Sequence, residues 1–462
     1  MRFPVLLALA VLALPLLPAL PAAPASEPAW WEQPLGIPES GPAPASEGAT
    51  PPLPLFPGDD VIVAVPNNQN EYGIAANPRN ADNLVAGAND YELGDAWAGF
   101  YTTFDGGATW THGRIPLPAL YTVSGDPTLV FDQAGNAYYG GIAFNRGSTN
   151  NGANAIFVSK SLDGGLTWST VTPFTSPSGA TFHDKPYINA DPVSGAIYLT
   201  YTHFGSNGGI SFSKSTNGGL AWTPRVVIGG GQFSLPVAGQ GGEIFVTWTS
   251  GGAKFARSLD GGATWSVTTP LSISIGEVPV GFRIFAYPVM DVARGGPHAG
   301  RVYLAAPQRL VPGVAGDLTI ITSDDGGLSW SEPEAIVRPG TQLMPWMAVQ
   351  PDGTVGIAYM DTILTPWSWV NSPPGSAPTL LLQSLSTKGP DDPAWLTTIT
   401  TDLPSRSDTA SFWGDYQGMA ATSAGFHPAF GDGRNGDACN CNVAAKLDFG
   451  TMRVSGLGLP LG

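Results

Sequence analysis

Short apolar runs alternate with clusters of turn residues along most of the chain. In one example, the run 126–131 (DPTLVF) is separated by a turn at 132–135 (DQAG) from the aromatic run 137–144 (AYYGGIAF). Short runs rich in aromatic and β-branched residues and bounded by Asp and Gly are typical of β-hairpins. The arrangement recurs at Tyr72, Lys185, Ser234, Tyr287, Met344 and Tyr416. The pattern therefore predicts seven repeats of a strand pair in an all-β chain.

An eight-residue motif follows five of these strand pairs. It begins with Ser or Thr, continues with Asp or Asn, Gly-Gly and a small residue, and ends with Trp. Its copies span residues 103–110, 161–168, 215–222, 258–265 and 323–330. An Asp or Asn side chain accepts amides of the turn that it begins, paired glycines permit positive φ, and Trp supplies an apolar anchor. The motif therefore predicts a repeated structural turn.

This motif resembles the Asp box of the sialidase-like propellers, and the resemblance extends from about Tyr72 to Phe449. It implies an all-β propeller in which each box joins the third and fourth strands of a blade, on the face opposite the active site. The box aspartates are then structural rather than catalytic. The intervals of 43 to 65 residues between boxes each fit one four-stranded blade.

The seven inner strands favour seven blades within a single propeller domain at 59–462. The sixth blade has a degenerate box near 386–395, and the seventh ends near Phe449 with too little chain for four strands. We expect residues 60–65 to supply the missing outer strand and close the ring. Because characterised sialidases usually have six blades, six blades with an appended hairpin is the alternative.

The N-terminus is typical of an exported protein. Residues 5–20 are apolar, and Ala23-Pro24-Ala25 forms an AxA-like cleavage site. We therefore predict a signal peptide at 1–25, followed by a disordered Pro/Ala-rich leader at 26–58. The apolar run is short and contains Pro15 and Pro18, which argues against a membrane span. The expected location is secreted, cell-surface or periplasmic.

The net charge of the chain limits the classes of partner that it can bind. The formal net charge of −16, without a visible basic cluster, argues against nucleic acid as a binding partner. Cys439 and Cys441 are the two cysteines. They form either a local disulfide, which would need a turn or bulge, or an unpaired pair. We expect a monomer whose partner is a glycan or glycoconjugate.

In a propeller, the inner-strand starts and the loops between second and third strands share the face that carries the pocket. The candidate side chains at strand starts are Glu71, Tyr72, Asp126, His183, Asp184, Lys185, Arg283, Tyr287, Asp415 and Tyr416. The loop candidates are Asp90, Asp95, Arg146, His203, Arg309, Asp361, Asp432, Arg434 and Asp437. This face is therefore predicted to be rich in carboxylates.

The sialidase resemblance suggests roles for some of these residues. Sialidases bind the sialic-acid carboxylate with three arginines, and they use a Tyr–Glu nucleophile pair and an Asp acid/base. The matching positions here would be Asp90 as acid/base, Tyr416 with Glu71 as the nucleophile pair, and the anion binders Arg283, Arg309 and Arg434. The chain departs from the family at Asn70-Glu71-Tyr72, where the first-blade arginine is absent.

Two functions remain open. The leading hypothesis is a glycoside hydrolase that uses two rim carboxylates, with Asp90 and Asp415 in the acid/base roles. Asp126 and Asp184 either bind substrate or cap their loops. The alternative is a non-catalytic carbohydrate- or protein-binding propeller at the cell surface. No cofactor is required, although Asp432 and Asp437 offer calcium-type oxygen ligands within what is otherwise a plain turn.

Overall fold

The computed structural model describes residues 61–63, 69–274, 283–308, 316–338, 340–363, 380–399, 405–406, 413–432 and 448–451. These residues form an all-β propeller of antiparallel sheets. The described part of the chain has one short 3₁₀ helix, Thr149–Gly152. No helix in the described ranges is long and apolar enough to cross a membrane.

The described strands form seven sheets, the number expected from the seven inner strands of the sequence. The chain enters the described structure through β1 (Val61–Val63), which belongs to the last sheet. The first sheet comprises β2 (Gln69–Asn77), β3 (Asn80–Asp90), β4 (Trp97–Thr103) and β5 (Thr111–Arg114). The second comprises β6 (Val123–Phe131), β7 (Ala137–Phe144), β8 (Asn154–Ser161) and β9 (Ser169–Ser176). The third comprises β10 (Phe182–Ala190), β11 (Ile197–Phe204), β12 (Gly209–Ser215) and β13 (Val226–Gly229).

The remaining sheets follow the same plan. The fourth comprises β14 (Gln232–Ala238), β15 (Ile244–Thr249), β16 (Ala253–Ser258) and β17 (Ser266–Leu271). The fifth comprises β18 (Val289–Val292), β19 (Val302–Gln308), β20 (Asp317–Ser323) and β21 (Glu334–Ile336). The sixth comprises β22 (Gln342–Val349), β23 (Val355–Ile363), β24 (Leu380–Lys388), β25 (Leu396–Ile399) and β26 (Ser405–Arg406). The seventh comprises β27 (Gly418–Thr422), β28 (Gly425–Asp432), β29 (Asp448–Thr451) and β1.

The sheets close into a ring around a central axis. Their innermost strands contact one another in the cyclic order β2, β6, β10, β14, β18, β22, β27 and back to β2. As the sequence predicted, the strand near residue 60 completes the last sheet, since β1 pairs antiparallel with β29 with Val61 opposite Thr451. The two ends of the described chain are therefore joined in one sheet.

Each copy of the eight-residue motif forms the turn between the third and fourth strands of its sheet. In the second copy, the Ser161 hydroxyl donates to Asp163 Oδ1 at 2.6 Å and accepts the Gly165 amide at 2.8 Å. The Asp163 carboxylate also accepts the Thr167 amide at 2.9 Å. Gly164 and Gly165 have φ of 74° and 99°, which a side chain would strain. The motif residues therefore stabilise one another within the turn.

The motif tryptophans also join neighbouring sheets. Trp168 lies 5.8 Å from Phe100 of the preceding sheet, ring centroid to ring centroid. The same arrangement recurs at 5.0 Å between Trp265 and Phe212 and at 5.1 Å between Trp330 and Phe255. Aromatic pairs at these distances stabilise a core beyond the area that they bury. The motif thus fixes both a turn and the packing of consecutive sheets.

Removing the carboxylate of one motif turn is expected to destabilise the fold modestly. Slight burial acts to raise the pKa of Asp163, but hydrogen bonds from Ser161 and Thr167 outweigh this effect and lower the pKa to about 2. We expect Asp163→Ala to cost about 1 kcal/mol of unfolding free energy. Asp163→Asn should stay near wild type at pH 7, because Asn217 in the third copy accepts the equivalent Ser215 hydroxyl and Ala221 amide.

Chemical denaturation of these two variants checks this expectation. A lowered folded-state pKa gives stability that is present above the unfolded value of about 3.9 and lost as pH falls toward the folded value. The difference between wild type and Asp163→Ala should therefore shrink as the pH falls from about 4 toward 2. Equal loss in the Ala and Asn variants would contradict the role of the accepted hydrogen bonds.

Candidate functional site

A recurrent backbone feature directs side chains toward the axis at the face where the inner strands begin. The inner strands β2, β6, β10, β14 and β22 each carry a register shift near their start. At each shift one non-glycine residue has a left-handed φ between 46° and 56°, and these residues are Glu71, Asp126, Lys185, Phe233 and Met344. Such backbone strain persists where the surrounding structure enforces it, and it is concentrated at functional sites.

Lys185 is the centre of a buried ion network at this position. Its ammonium lies 2.6 Å from Glu71 Oε1, 3.0 Å from Asp415 Oδ2 and 3.4 Å from Asp126 Oδ1. Glu71 and Asp126 belong to the first and second sheets, and Asp415 lies just before the first strand of the seventh, so the network bridges the ring. We call Glu71, Asp126, Asp184, Lys185, Arg283 and Asp415 the axial cluster.

Arg283 provides the second cation of the axial cluster. Its guanidinium donates from Nε to Asp415 Oδ1 at 2.9 Å and from Nη2 to Oδ2 at 2.6 Å. A bidentate pair of this kind fixes the plane of the carboxylate. The Arg283 side chain is 35% exposed, whereas that of Asp415 is 1% exposed. Arg283 therefore lies between the buried cluster and solvent.

Asn89, which the sequence did not single out, organises the cluster from β3. Its amide donates to Glu71 Oε2 at 2.9 Å, and its carbonyl accepts the Asp126 amide at 2.8 Å. Glu71 Oε1 also accepts the Asp415 amide at 3.2 Å. Asn89 thus holds Glu71 and Asp126, from adjacent sheets, in fixed relation to each other.

Burial sets the protonation of the cluster. It raises the pKa of Glu71, of Asp126 and of Asp415, and it raises the pKa of Asp184 to about 6, with Lys185 opposing the rise in each case. Burial alone would lower the pKa of Lys185, but the surrounding carboxylates raise it well above its ordinary value. Two cations face four carboxyl groups, so burial favours retaining a proton on the carboxyls that the cations do not neutralise.

Tyr416 lies beside the cluster, but its hydroxyl is engaged elsewhere. The hydroxyl donates to the Pro127 carbonyl at 3.2 Å rather than to Glu71, the partner expected from the sialidase resemblance. Burial, followed by the charges of Glu71 and Asp126, raises the pKa of Tyr416 well above its ordinary value. Its ring lies 5.3 Å from Lys185 Nζ. The geometry favours a packing and cation–π role for this side chain.

Asp90 takes no part in the hydrogen bonds of the axial cluster. Its Oδ1 accepts the Glu92 amide at 2.8 Å, and its Oδ2 accepts the Tyr101 hydroxyl at 3.4 Å. Burial raises its pKa. Successive residues of a strand point to opposite faces, so Asn89 reaches the cluster where Asp90 does not.

The other candidates divide between the described residues and the rest. Arg146 pairs with Asp95 at 2.7 Å, and Arg338 pairs with Asp361 at 2.9 Å. Asp432 ends β28 and is buried. Five candidates lie outside the described residues: Arg309, Arg434, Asp437, Cys439 and Cys441. Within the described ranges, no group of three or more His, Cys, Asp or Glu is placed to hold a metal ion.

A cavity of about 300 Å³ follows the axis along the inner strands. It is lined by three aromatic side chains, Tyr187, Trp346 and Tyr416. The ring centroid of Tyr187 lies 5.8 Å from that of Trp346 and 5.6 Å from that of Tyr416. Farther along the strands its wall is mainly aliphatic, including Ile74, Leu129, Ile188, Leu235, Met290 and Met347. No residue of the axial cluster lines this cavity, so the cluster and the cavity occupy different levels of the axis.

No family model matches this chain, and no curated protein matches it in sequence. Among solved structures, it is similar to the Hadza microbial sialidase Hz136, with 17% identity, a TM-score of 0.46, and 63% of each chain covered. This chain thus spans less than two thirds of that sialidase. A leech intramolecular trans-sialidase in complex with 2,7-anhydro-Neu5Ac matches at 13% identity and a TM-score of 0.48, over 77% of this chain and 71% of the other.

A third similar structure is an α-L-arabinanase from Penicillium chrysogenum in complex with arabinobiose. It matches at 17% identity and a TM-score of 0.45, over 66% of this chain and 91% of the arabinanase.

Proposed function

We propose that this protein is a glycan-active propeller that hydrolyses glycosidic bonds at the axial cluster. The observation that carries the proposal is the meeting of Glu71, Asp126 and Asp415, from three separate parts of the ring, around the Lys185 ammonium. A glycoside hydrolase needs one protonated and one ionised carboxyl group beside the scissile bond. In the cluster, the surroundings of some carboxyl groups favour the ionised form and the surroundings of others favour the protonated form.

Asp415 is suited to the ionised role. Two cations contact it, with Arg283 at 2.6 Å and Lys185 at 3.0 Å, and both stabilise its negative charge. It would act as the base or nucleophile, and the half-exposed Arg283 places it at the solvent side of the cluster.

Glu71, coupled to Asp126, is suited to the protonated role. After burial, the neighbouring charge and hydrogen bond of Asp126 contribute to the raised pKa of Glu71, whereas Lys185 opposes the rise. A carboxylic acid whose pKa is raised in this way can protonate a leaving group near neutral pH. The pair would supply the proton to the glycosidic oxygen.

Turnover on a panel of fluorogenic glycosides, including sialosides and arabinosides, tests this proposal. We expect Asp415→Asn to lose about a hundredfold in kcat/KM on the best substrate. Tyr416→Phe and Asp90→Asn should keep most of the activity, because neither side chain offers a free group to the cluster. Full activity in Asp415→Asn, or loss confined to Tyr416→Phe, would refute the assignment.

A second candidate is a non-catalytic glycan-binding propeller. It is favoured by the burial of the cluster, whose carboxylates Glu71 and Asp415 are only 1% exposed and already bonded to cations. Saturable glycan binding without turnover on any member of the panel would select this function over hydrolysis.

We also propose that the protein acts outside the cytoplasm as a monomer. The apolar run at 5–20 and the Ala23-Pro24-Ala25 site support export. Secretion of the full-length chain, cleaved near residue 25, would support this proposal, whereas retention of an uncleaved chain in the cytoplasm would exclude it.

A further inference from the structure

Two histidines face each other on the third sheet, outside the axial cluster. His183 in β10 is directly opposite His203 in β11 in the antiparallel register. Their ring centroids are 5.1 Å apart, with 45° between the ring planes. The Tyr201 ring lies 5.3 Å from that of His183. Residues 201 and 203 point to the same face of β11, so the three side chains form one group.

This group carries two ring nitrogens that the described part of the chain leaves unpartnered. The Nδ1 atoms of His183 and of His203 are buried, and among the described residues neither takes part in a hydrogen bond. Buried polar atoms in folded proteins nearly always have a partner. Two such atoms on facing side chains are best satisfied by one small species that they share.

We propose that His183 and His203 bind a divalent first-row transition-metal ion of the Zn²⁺, Ni²⁺ or Cu²⁺ type, with solvent completing its coordination. Imidazole nitrogen is a preferred ligand of these ions. Two imidazoles bound to one tetrahedral Zn²⁺ through nitrogens at about 2.0–2.1 Å place their ring centroids roughly 5 Å apart. The observed separation of 5.1 Å fits this geometry.

Arg225 limits the affinity of the site. Its guanidinium donates to the Asn207 carbonyl at 3.2 Å and to the Ser211 hydroxyl at 3.3 Å, and its charge acts on both histidines. A positive charge there opposes a bound cation. We therefore expect tighter binding in Arg225→Gln than in the wild-type protein.

Calorimetric titration of the metal-free protein with Zn²⁺ and with Ni²⁺ tests the proposal. We expect one saturable equivalent and a rise in Tm with metal. His183→Ala and His203→Ala should each weaken binding by at least about tenfold, since loss of even an outer-shell partner commonly has that effect. His112→Ala, which removes an exposed histidine of β5, is the matched control and should bind like wild type.

Each outcome decides the proposal. Absence of saturable binding, or binding that survives both His183→Ala and His203→Ala, would overturn it. Binding lost in Glu71→Gln but kept in the two histidine variants would also overturn it, because the ion would then lie in the axial cluster. The Tm of each metal-free variant, compared with wild type, identifies a substitution that acts only by unfolding the third sheet.

Discussion

Lys185→Met is expected to lower the free energy of unfolding at pH 8 by about 3–5 kcal/mol. The Lys185 ammonium is the shared partner of Glu71, Asp126 and Asp415, and its side chain is 5% exposed. Removing one partner from a buried ion network leaves uncompensated charge in a low-dielectric site. Methionine preserves much of the volume of lysine, so the loss reports charge more than packing.

The loss should be smaller at pH 5 than at pH 8. The pKa of Glu71 and that of Asp126 are already raised in the fold by burial, and Lys185 opposes that rise. A carboxyl group whose folded pKa exceeds its unfolded pKa contributes stability that is fully present below the unfolded value and is lost as pH rises through the folded value. In Lys185→Met the folded pKa values rise further, so the variant should regain stability in acid.

Denaturant unfolding of wild type and Lys185→Met at the two pH values measures this effect. Arg283→Met is the matched control, because Arg283 is 35% exposed and Asp415 keeps Lys185 as a partner. We expect that control to lose about 1 kcal/mol or less. A pH-independent loss in Lys185→Met, or one no larger than in Arg283→Met, would mean that packing rather than charge explains the effect.

The fold followed from the sequence because its signals are local and repeated. The motif needs only eight consecutive residues to define its turn, and five copies set the spacing of the sheets. The strand near residue 60 was predictable because the last sheet lacked an outer strand, and β1 fills that position. A repeat of this kind can be recognised in the sequence without any knowledge of contacts between distant residues.

The site was only partly predictable. Glu71, Asp126, Asp184, Arg283 and Asp415 were identified because they stand at inner-strand starts, and the structure brings all five together. The central position of Lys185 depends on its left-handed φ of 46° and a register shift at its strand start, which no residue pattern encodes. Asn89 was missed in favour of Asp90 because a carboxylate is the stronger chemical signal, although strand alternation directs the amide to the cluster.

Glu71→Gln is expected to lower kcat/KM by about two to four orders of magnitude on a glycoside with a poor leaving group. In the proposed mechanism Glu71, coupled to Asp126, donates the proton to the glycosidic oxygen. Glutamine keeps the size of glutamate and retains a carbonyl that can accept a hydrogen bond from Lys185. In the wild-type protein, Lys185 Nζ donates to Glu71 Oε1 at 2.6 Å. The variant therefore removes the proton while leaving most of the local packing in place.

Two kinetic measurements distinguish proton donation by Glu71 from a purely structural role. A general acid must be protonated, so wild-type activity should fall as pH rises through its raised pKa, and this basic limb should be absent in Glu71→Gln. In Glu71→Gln, a substrate whose leaving group departs without protonation should be hydrolysed at much of the wild-type rate. A structural defect would instead slow the hydrolysis of substrates with good and with poor leaving groups equally. Equal losses on both leaving groups, together with a lowered Tm, would make Glu71 a structural member of the Lys185 network and remove the acid from the mechanism.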